Sequence, residues 1–174
     1  MVLKFRFISN EQDNFVRDFE ILADQTFFDL HMAIQGNLHF DKSQIASFFI
    51  CGQKWEKEQE ITLFELTEEE SARVITMENA GIKDHVHEVH DKMVYVFDVF
   101  NERMFFIELV GKNTRDASKN YPVCCFEKGQ APQQLLMDHL FGTPNLSDSS
   151  ILEDYTDDPG LDLQIYDDEF PDDY

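Results

Sequence analysis

The chain contains no Lys or Arg after Lys128, so its C-terminal part carries only negative formal charge. Eleven of the 35 acidic residues lie between positions 144 and 174. Like charges at this density repel one another, and few apolar groups are present to offset the repulsion. We therefore predict one folded domain over residues 1–143 and an acidic, flexible tail over residues 144–174.

Positive charge is scarce in the whole chain, with 14 Lys and Arg against 35 Asp and Glu and a net charge of −21. Sequence-independent nucleic-acid binding depends on Lys and Arg that neutralise phosphates, and binding to anionic membranes depends on the same residues. We predict no direct contact with nucleic acid or membrane. Electrostatic complementarity favours a basic protein as partner, and solubility alone is the simpler explanation of the charge.

Cysteine is also scarce, with only Cys51, Cys124 and Cys125. An odd number of thiols, two of them adjacent, does not form a disulfide framework. Neighbouring strand residues point to opposite faces, so at most one of Cys124 and Cys125 would face a core. Met1–Asn10 lacks the apolar run of a signal peptide, and no stretch approaches about 18 consecutive apolar residues. These absences predict a cytoplasmic protein.

Glycine-rich and nucleophile motifs are missing as well. The chain has seven Gly and none of the patterns G-x-x-x-x-G-K-[ST], G-x-G-x-x-G, G-x-S-x-G or H-E-x-x-H. The sequence therefore predicts no cofactor and no enzyme activity.

Apolar material is supplied largely by 17 Phe. Val2–Ile8 and Phe15–Leu22 have strand composition and are joined by a short polar loop, which predicts an antiparallel hairpin. A helix follows, because Thr26 and Asp29 have the spacing of a capping box. Its apolar stripe is Phe27, Leu30, Ile34 and Leu38, and Gly36–Asn37 predicts its end. His31 and His39 are interpreted as polar-face residues of this helix.

Later segments complete the predicted order of elements. A second hairpin is predicted from Met93–Phe100 and Met104–Val110. A buried strand is predicted at Ile45–Cys51. A last strand is predicted at Tyr121–Phe126, and Pro122 places it at an edge or at a strand start. Short helices are predicted near 68–78 and from Pro132 onward. The predicted fold class is α+β: a largely antiparallel sheet with one main helix packed on one face and a β-grasp-like start.

The strongest cluster of candidate ligands is His85, His87 and His90. On a strand, His85 and His87 would share one face, and His90 could complete a metal site if the chain bends. A solvated loop is the simpler interpretation. Asp98 and Glu108 lie within apolar strands, where they could face each other for acid–base work or face solvent. A metal-dependent hydrolase that uses the three histidines, with Asp98 as a further candidate, is therefore an alternative function.

The acidic tail is not purely polar. Acidic residues alternate in it with the predicted partner-binding residues Leu161, Leu163, Ile165, Tyr166 and Phe170. Such alternation is typical of segments that dock apolar anchors while their charges steer the approach. The leading hypothesis is thus a non-enzymatic protein-interaction module. A second alternative is an acidic nucleic-acid mimic that occupies a basic protein.

Three segments in order resemble a known family. They are Leu22–Phe40, Met93–Phe106 with the sequence VYVFD at 94–98, and Tyr121-Pro122-x-Cys124 followed by Gly129-x-Ala131-Pro132. Over roughly residues 1–134 the chain resembles the Ri-plasmid ORF-three-like family, whose members are also labelled insertion-element passenger TnpR proteins. The resemblance implies an association with mobile elements and an α+β fold of about this size. It supplies no catalytic residues.

The chain departs from the pattern of that family at several positions. Phe40-Asp41 stands in place of Trp-Asp, and Ile45–Cys51 replaces a His-rich strand. Val99–Arg103 replaces an Asp-Gly-Asp-x-Trp stretch, and Ala131–Gln134 replaces Pro-Pro-Glu-Asp. We therefore predict that a polar or metal-binding site built on those positions is lost in this chain. The family label TnpR suggests a resolvase, but it is not taken to imply DNA binding, because the chain is acidic.

Overall fold

The opening hairpin forms as its alternating sequence predicts. In a computed structural model that describes residues 1–64 and 74–135, β1 (Val2–Ser9) pairs antiparallel with β2 (Val16–Leu22). Leu3, Phe5 and Phe7 are buried on one face of β1, whereas Lys4 and Arg6 lie on the other face. The alternation therefore decides which face of the hairpin enters the core.

Helix α1 (Phe27–Leu38) begins at the predicted capping box. The Asp29 N–H donates to Oγ1 of Thr26 at 3.2 Å, and the Thr26 N–H donates to Oδ2 of Asp29 at 2.9 Å. The helix continues through Gly36 and ends at His39, which adopts a left-handed conformation with φ 56°. Its end is thus slightly later than predicted, since Gly36 weakens a helix without breaking it.

The described part of the chain has eight strands, which form one sheet in the order β5-β4-β3-β6-β7-β1-β2-β8. The remaining elements are β3 (Ser47–Cys51), β4 (Lys57–Thr62), β5 (Ile75–Thr76), α2 (Ile82–His85), β6 (Lys92–Asp98), β7 (Arg103–Asn113) and β8 (Val123–Lys128). Among the strands of residues 1–64 and 74–135, β4 and β5 are the one pair that runs parallel. The α+β class with a largely antiparallel sheet is confirmed. After the β-grasp-like start, however, β3 pairs with β6, and the second neighbour of β1 is β7.

The predicted hairpin of β6 and β7 is confirmed, and β8 is an edge strand that starts directly after Pro122. Strand β4 was not predicted, because four of its six side chains are exposed and charged or polar and show no apolar alternation.

The helix predicted near 68–78 lies largely outside the described residues, and Ile75–Thr76 within it is a strand. The helix predicted from Pro132 is not formed up to Leu135, and its remainder is outside the described residues. The predicted domain boundary at residue 143 is outside them too and stays a prediction.

The hydrophobic core is larger on one face of the sheet than on the other. The main core lies where α1 packs against Phe5, Phe48 and Tyr95. On the opposite face a smaller cluster is built from Cys51, Val94 and Val96 with partly buried Phe49, Trp55, Met104 and Phe106. The main core therefore surrounds the inner side of α1. Among the described residues no helix is long and apolar enough to cross a bilayer.

Candidate functional site

A cleft of about 630 Å³ opens beside α1, next to the residues that follow β4 and β5. Its apolar lining is Phe28, Met32, Leu63 and Phe64, and its polar lining is His31, Lys42, Ser43, Thr76, Glu78 and Asn79. The wall that follows β5 is hydrogen-bonded to the start of α1. The Phe27 and Phe28 N–H groups donate to the carbonyls of Ala80 and Met77 at 3.0 Å each. The volume falls within the range of about 300–1,000 Å³ that is usual for small-molecule sites.

A buried polar cluster lies behind this cleft. Nδ1 of His31 is 2.9 Å from the Tyr95 hydroxyl oxygen, which accepts a hydrogen bond from Nε2 of Gln35 at 2.7 Å. All three residues are almost fully buried. His31 and Gln35 are one turn apart on α1, so both side chains reach the same tyrosine of β6.

Burial sets the protonation of this cluster. Desolvation, with a smaller contribution from the charge of Lys42, lowers the pKa of His31 to about 4. Desolvation also raises the pKa of Tyr95, although the hydrogen bond from Gln35 opposes it. At neutral pH the imidazole and the phenol are therefore both uncharged.

A second concave region lies at the turn between β6 and β7. The exposed apolar side chains of Ile45, Val99, Phe100 and Leu135, which we call the hairpin-end patch, surround a hollow of about 200 Å³. Phe100 is 94% exposed. The hollow is smaller than usual small-molecule sites and matches the size of one apolar side chain better.

Arg103, at the start of β7, clamps the chain next to this patch. Its guanidinium makes three contacts of 2.8–3.1 Å with the Glu11 carboxylate and donates to the carbonyls of Gln133 at 2.6 Å and Gln134 at 3.0 Å. The side-chain amide of Gln134 in turn pairs with the backbone of Asp41. Three segments in which the chain departs from the family pattern therefore lie together. In this chain they form a structural clamp.

The three histidines considered as candidate metal ligands have different surroundings. Nδ1 of His85 is 3.1 Å from Oε1 of Gln59, and Nδ1 of His90 is 2.6 Å from Oε1 of Glu108. His87 lies between them in a loop, where its backbone N–H donates to Asp91. Among residues 1–64 and 74–135 no three His, Cys, Asp or Glu side chains are grouped to hold a metal ion.

Asp98 and Glu108 are not brought together. Along β6 and β7, Asp98 pairs with Arg103, whereas Glu108 pairs with Lys92 at the other end of the ladder. Asp98 is buried, which corrects the solvent-facing interpretation. Burial alone would raise the pKa of Asp98, but hydrogen bonds from Asn101 and the charge of Arg103 outweigh it and hold that pKa below its usual range.

The three cysteines are free thiols in the structure. Cys124 packs against the main core and Cys125 is exposed, which confirms that at most one of the pair faces inward. Burial raises the pKa of Cys51 and Cys124. Neighbouring protein atoms partly desolvate the exposed Cys125 and raise its pKa as well. Protonated thiols are poor nucleophiles, so the structural interpretation of these cysteines is favoured.

The buried cluster contains residues that the sequence analysis missed. His31 is buried, so its interpretation as a polar-face residue is wrong. The missed signal is spacing: His31 and Gln35 follow Phe27 at +4 and +8, which places them on the same helix face as the apolar stripe. The predicted partner-binding residues of the tail, by contrast, lie outside the described residues.

Comparisons with known proteins extend this description. A family model described as "Plasmid pRiA4b ORF-3-like protein" matches residues 3–136. A solved structure of a protein of unknown function, MM3350 from Methanosarcina mazei Go1, is similar with a TM-score of 0.61 and 18% identity, over 76% of this chain and 71% of that chain. At this identity the similarity shows the fold alone. No curated protein matches the chain.

Proposed function

The chain belongs to the plasmid pRiA4b ORF-3-like family, and we propose that it is a non-enzymatic protein-interaction module for a basic protein partner. The partner contacts the hairpin-end patch and the acidic tail. The observation that carries this proposal is the exposure of four apolar side chains around one hollow, with Phe100 94% exposed at its rim.

Exposed apolar patches next to a small hollow are typical of protein–protein contact sites. An aromatic anchor such as Phe100 has few rotatable bonds, so it loses little conformational freedom when a partner covers it. Arg103 holds the neighbouring backbone of Gln133 and Gln134 and thereby keeps Leu135 at the patch. The patch is thus prearranged, which lowers the entropic cost of binding.

Charge supports the choice of a basic partner. The sequence that follows Leu135 contains no Lys or Arg, and it carries the eleven carboxylates of residues 144–174. Because this sequence begins at the patch, anchors at the patch and within Leu161–Phe170 would bind one partner with a high effective concentration. The carboxylates would steer a basic surface toward these anchors.

We propose that the protein is located in the reducing cytoplasm. Its free thiols are consistent with that location and with an interaction role. All three cysteines are free and have raised pKa values, so they suit a structural role better than a catalytic one.

Affinity capture with the full chain tests the proposal. The bait is compared with three variants: Phe100→Ser, a chain ending at residue 143, and the control Phe126→Ser. Phe126 is also exposed, at 48%, but lies on the edge strand β8 away from the turn between β6 and β7. We expect wild type and Phe126→Ser to capture the same basic protein at low salt. Phe100→Ser and the truncated chain should capture at most one tenth as much.

Equal capture by all four proteins would contradict the proposal. Duplex DNA is then added as a competitor to the captured complex. Release of the partner by DNA to the same extent from the wild type and from Phe100→Ser would instead favour the nucleic-acid mimic.

A further inference from the structure

We propose that the cleft beside α1 is a binding site for a small, uncharged, flat molecule that has an apolar body and a carbonyl oxygen. The carbonyl accepts a hydrogen bond from Nε2–H of His31. This site is separate from the hairpin-end patch, and the inference does not depend on the proposed interaction function.

The direction of the hydrogen bonds places the imidazole proton. Nε2 of Gln35 donates to the Tyr95 oxygen at 2.7 Å, so the phenol hydrogen is left to donate elsewhere. The hydroxyl carries one hydrogen, and its other neighbour is Nδ1 of His31 at 2.9 Å. The proposal assigns Nδ1 as the acceptor of that hydrogen, and a neutral imidazole then carries its proton on Nε2.

The orientation of the ring points its Nε2 edge away from Tyr95. His31 lines the cleft, while its Nδ1 is directed to Tyr95 in the core. Within residues 1–64 and 74–135, the one buried side-chain nitrogen or oxygen without a partner is Oε1 of Gln35. Nε2 of His31 makes no hydrogen bond to another described residue, and the ring carries it on the side away from Tyr95, so the proposal assigns it to the cleft that His31 lines.

The amide of Gln35 indicates that this arrangement is maintained at a cost. Its Nε2 holds the tyrosine, while its Oε1 is buried without a partner in the described part of the chain. Unpartnered buried acceptors are uncommon, and each calls for a specific reason. Holding Tyr95, and through it the proton on Nε2 of His31, supplies such a reason.

The lining of the cleft selects the class of ligand. Phe28, Met32, Leu63 and Phe64 supply an apolar surface suited to a flat body. Lys42 and Glu78 are the charged residues that line the cleft, and their charges offset each other. With a net charge of −21 on the chain, an anionic ligand would be repelled. An uncharged molecule with a single strong acceptor fits best. The lowered pKa of His31 keeps this donor neutral throughout the physiological range.

Two matched probes test the proposal at pH 7.5: acetanilide, which has a carbonyl oxygen, and N-ethylaniline, which has a methylene group in its place. Histidine side-chain nitrogen spectra of the wild-type protein first report the tautomer of His31, which should be Nε2–H. We expect acetanilide to shift the His31 Nε2 signal and to bind about fivefold more tightly than N-ethylaniline, the usual worth of one neutral hydrogen bond. Phe64→Ser should weaken both probes equally, because Phe64 supplies only apolar contact.

Tyr95→Phe provides the decisive variant, since it removes the hydroxyl that fixes the tautomer and leaves the cleft lining intact. It should reduce the preference for acetanilide, because the imidazole is then free to adopt the Nδ1–H tautomer, which cannot donate from Nε2 to the carbonyl. Phe100→Ser should leave both affinities unchanged, which separates this site from the patch. Equal affinity of the two probes for the wild-type protein, an Nδ1–H tautomer, or probe binding that leaves the His31 signals unmoved would each overturn the proposal.

Discussion

The side-chain amide of Gln134 pairs with both backbone groups of Asp41, a residue 93 positions earlier in the chain. Oε1 accepts from the Asp41 N–H, and Nε2 donates to the Asp41 carbonyl at 3.1 Å. This pairing joins the segment after α1 to the end of the described domain. Together with the Arg103 clamp, it fixes residues 133 and 134 against the rest of the described domain.

Gln134→Leu should destabilise the domain by about 1–2 kcal/mol. The substitution leaves the Asp41 N–H and carbonyl without their partner, and unsatisfied backbone groups cost about that amount. Urea unfolding followed by circular dichroism measures the change. Gln133→Leu is the matched control, because the Gln133 side chain is exposed and only its backbone carbonyl is used. An equal effect of the two substitutions would show that the amide pairing does not contribute.

Arg103→Met should cost about 3 kcal/mol or more, because it leaves Glu11 and two backbone carbonyls without their donor. Arg103→Lys should restore less than half of the loss, since an ammonium group cannot reproduce the fork of a guanidinium. Urea unfolding of both variants measures the loss. An unfolding midpoint of Arg103→Met equal to that of the wild type would contradict the clamp.

Stability should fall as the pH decreases from about 6.5 to about 4, in part because of His31. The pKa of this imidazole is about 4 in the folded protein and 6.5 in the unfolded chain, so within that window the unfolded state binds the proton more readily. The contribution of His31 is fully present above pH 6.5 and is lost as the pH falls through the window, by roughly 3 kcal/mol in all. Tyr95, Lys42 and Glu78 are the ionisable groups near the ring or in its cleft.

The measurement compares urea unfolding of wild type and His31→Gln at pH 7 and pH 4.5. Other groups titrate in both proteins, so the difference between them isolates the imidazole. The stability advantage of wild type over His31→Gln should shrink by about 2–3 kcal/mol at the lower pH. If the two proteins lose stability in parallel, His31 does not carry the shift.

Local patterns determined how much of this fold could be predicted. The capping box of Thr26 and Asp29 and the alternation of β1 act within a few residues, so both are visible in the sequence. The role of Gln134 depends on Asp41, which is brought near only by the whole sheet, and no spacing rule predicts it. Strand β4 was missed for a related reason, because the backbone of β3 pairs it while its side chains stay in solvent.

The candidate site was missed because polar residues were assigned to solvent. His31 has the spacing of the apolar stripe, but a histidine is more often interpreted as a surface residue than as part of a core. What makes its burial tolerable is Tyr95, more than 60 residues away, which supplies the hydrogen bond that a buried imidazole needs. Such compensation becomes visible only when the tertiary structure brings the two residues together.

The tail provides the last prediction, which concerns the partner captured by the full chain. Ile165→Ser combined with Tyr166→Ser should weaken that complex more than Asp167→Asn, because apolar anchors carry most binding energy whereas a single exposed carboxylate contributes little. We expect about a tenfold increase in Kd for the double variant, mostly in the dissociation rate, and less than a twofold change for Asp167→Asn. Surface plasmon resonance at two salt concentrations measures both. If Asp167→Asn has the larger effect, and that effect disappears at high salt, the tail acts through charge alone.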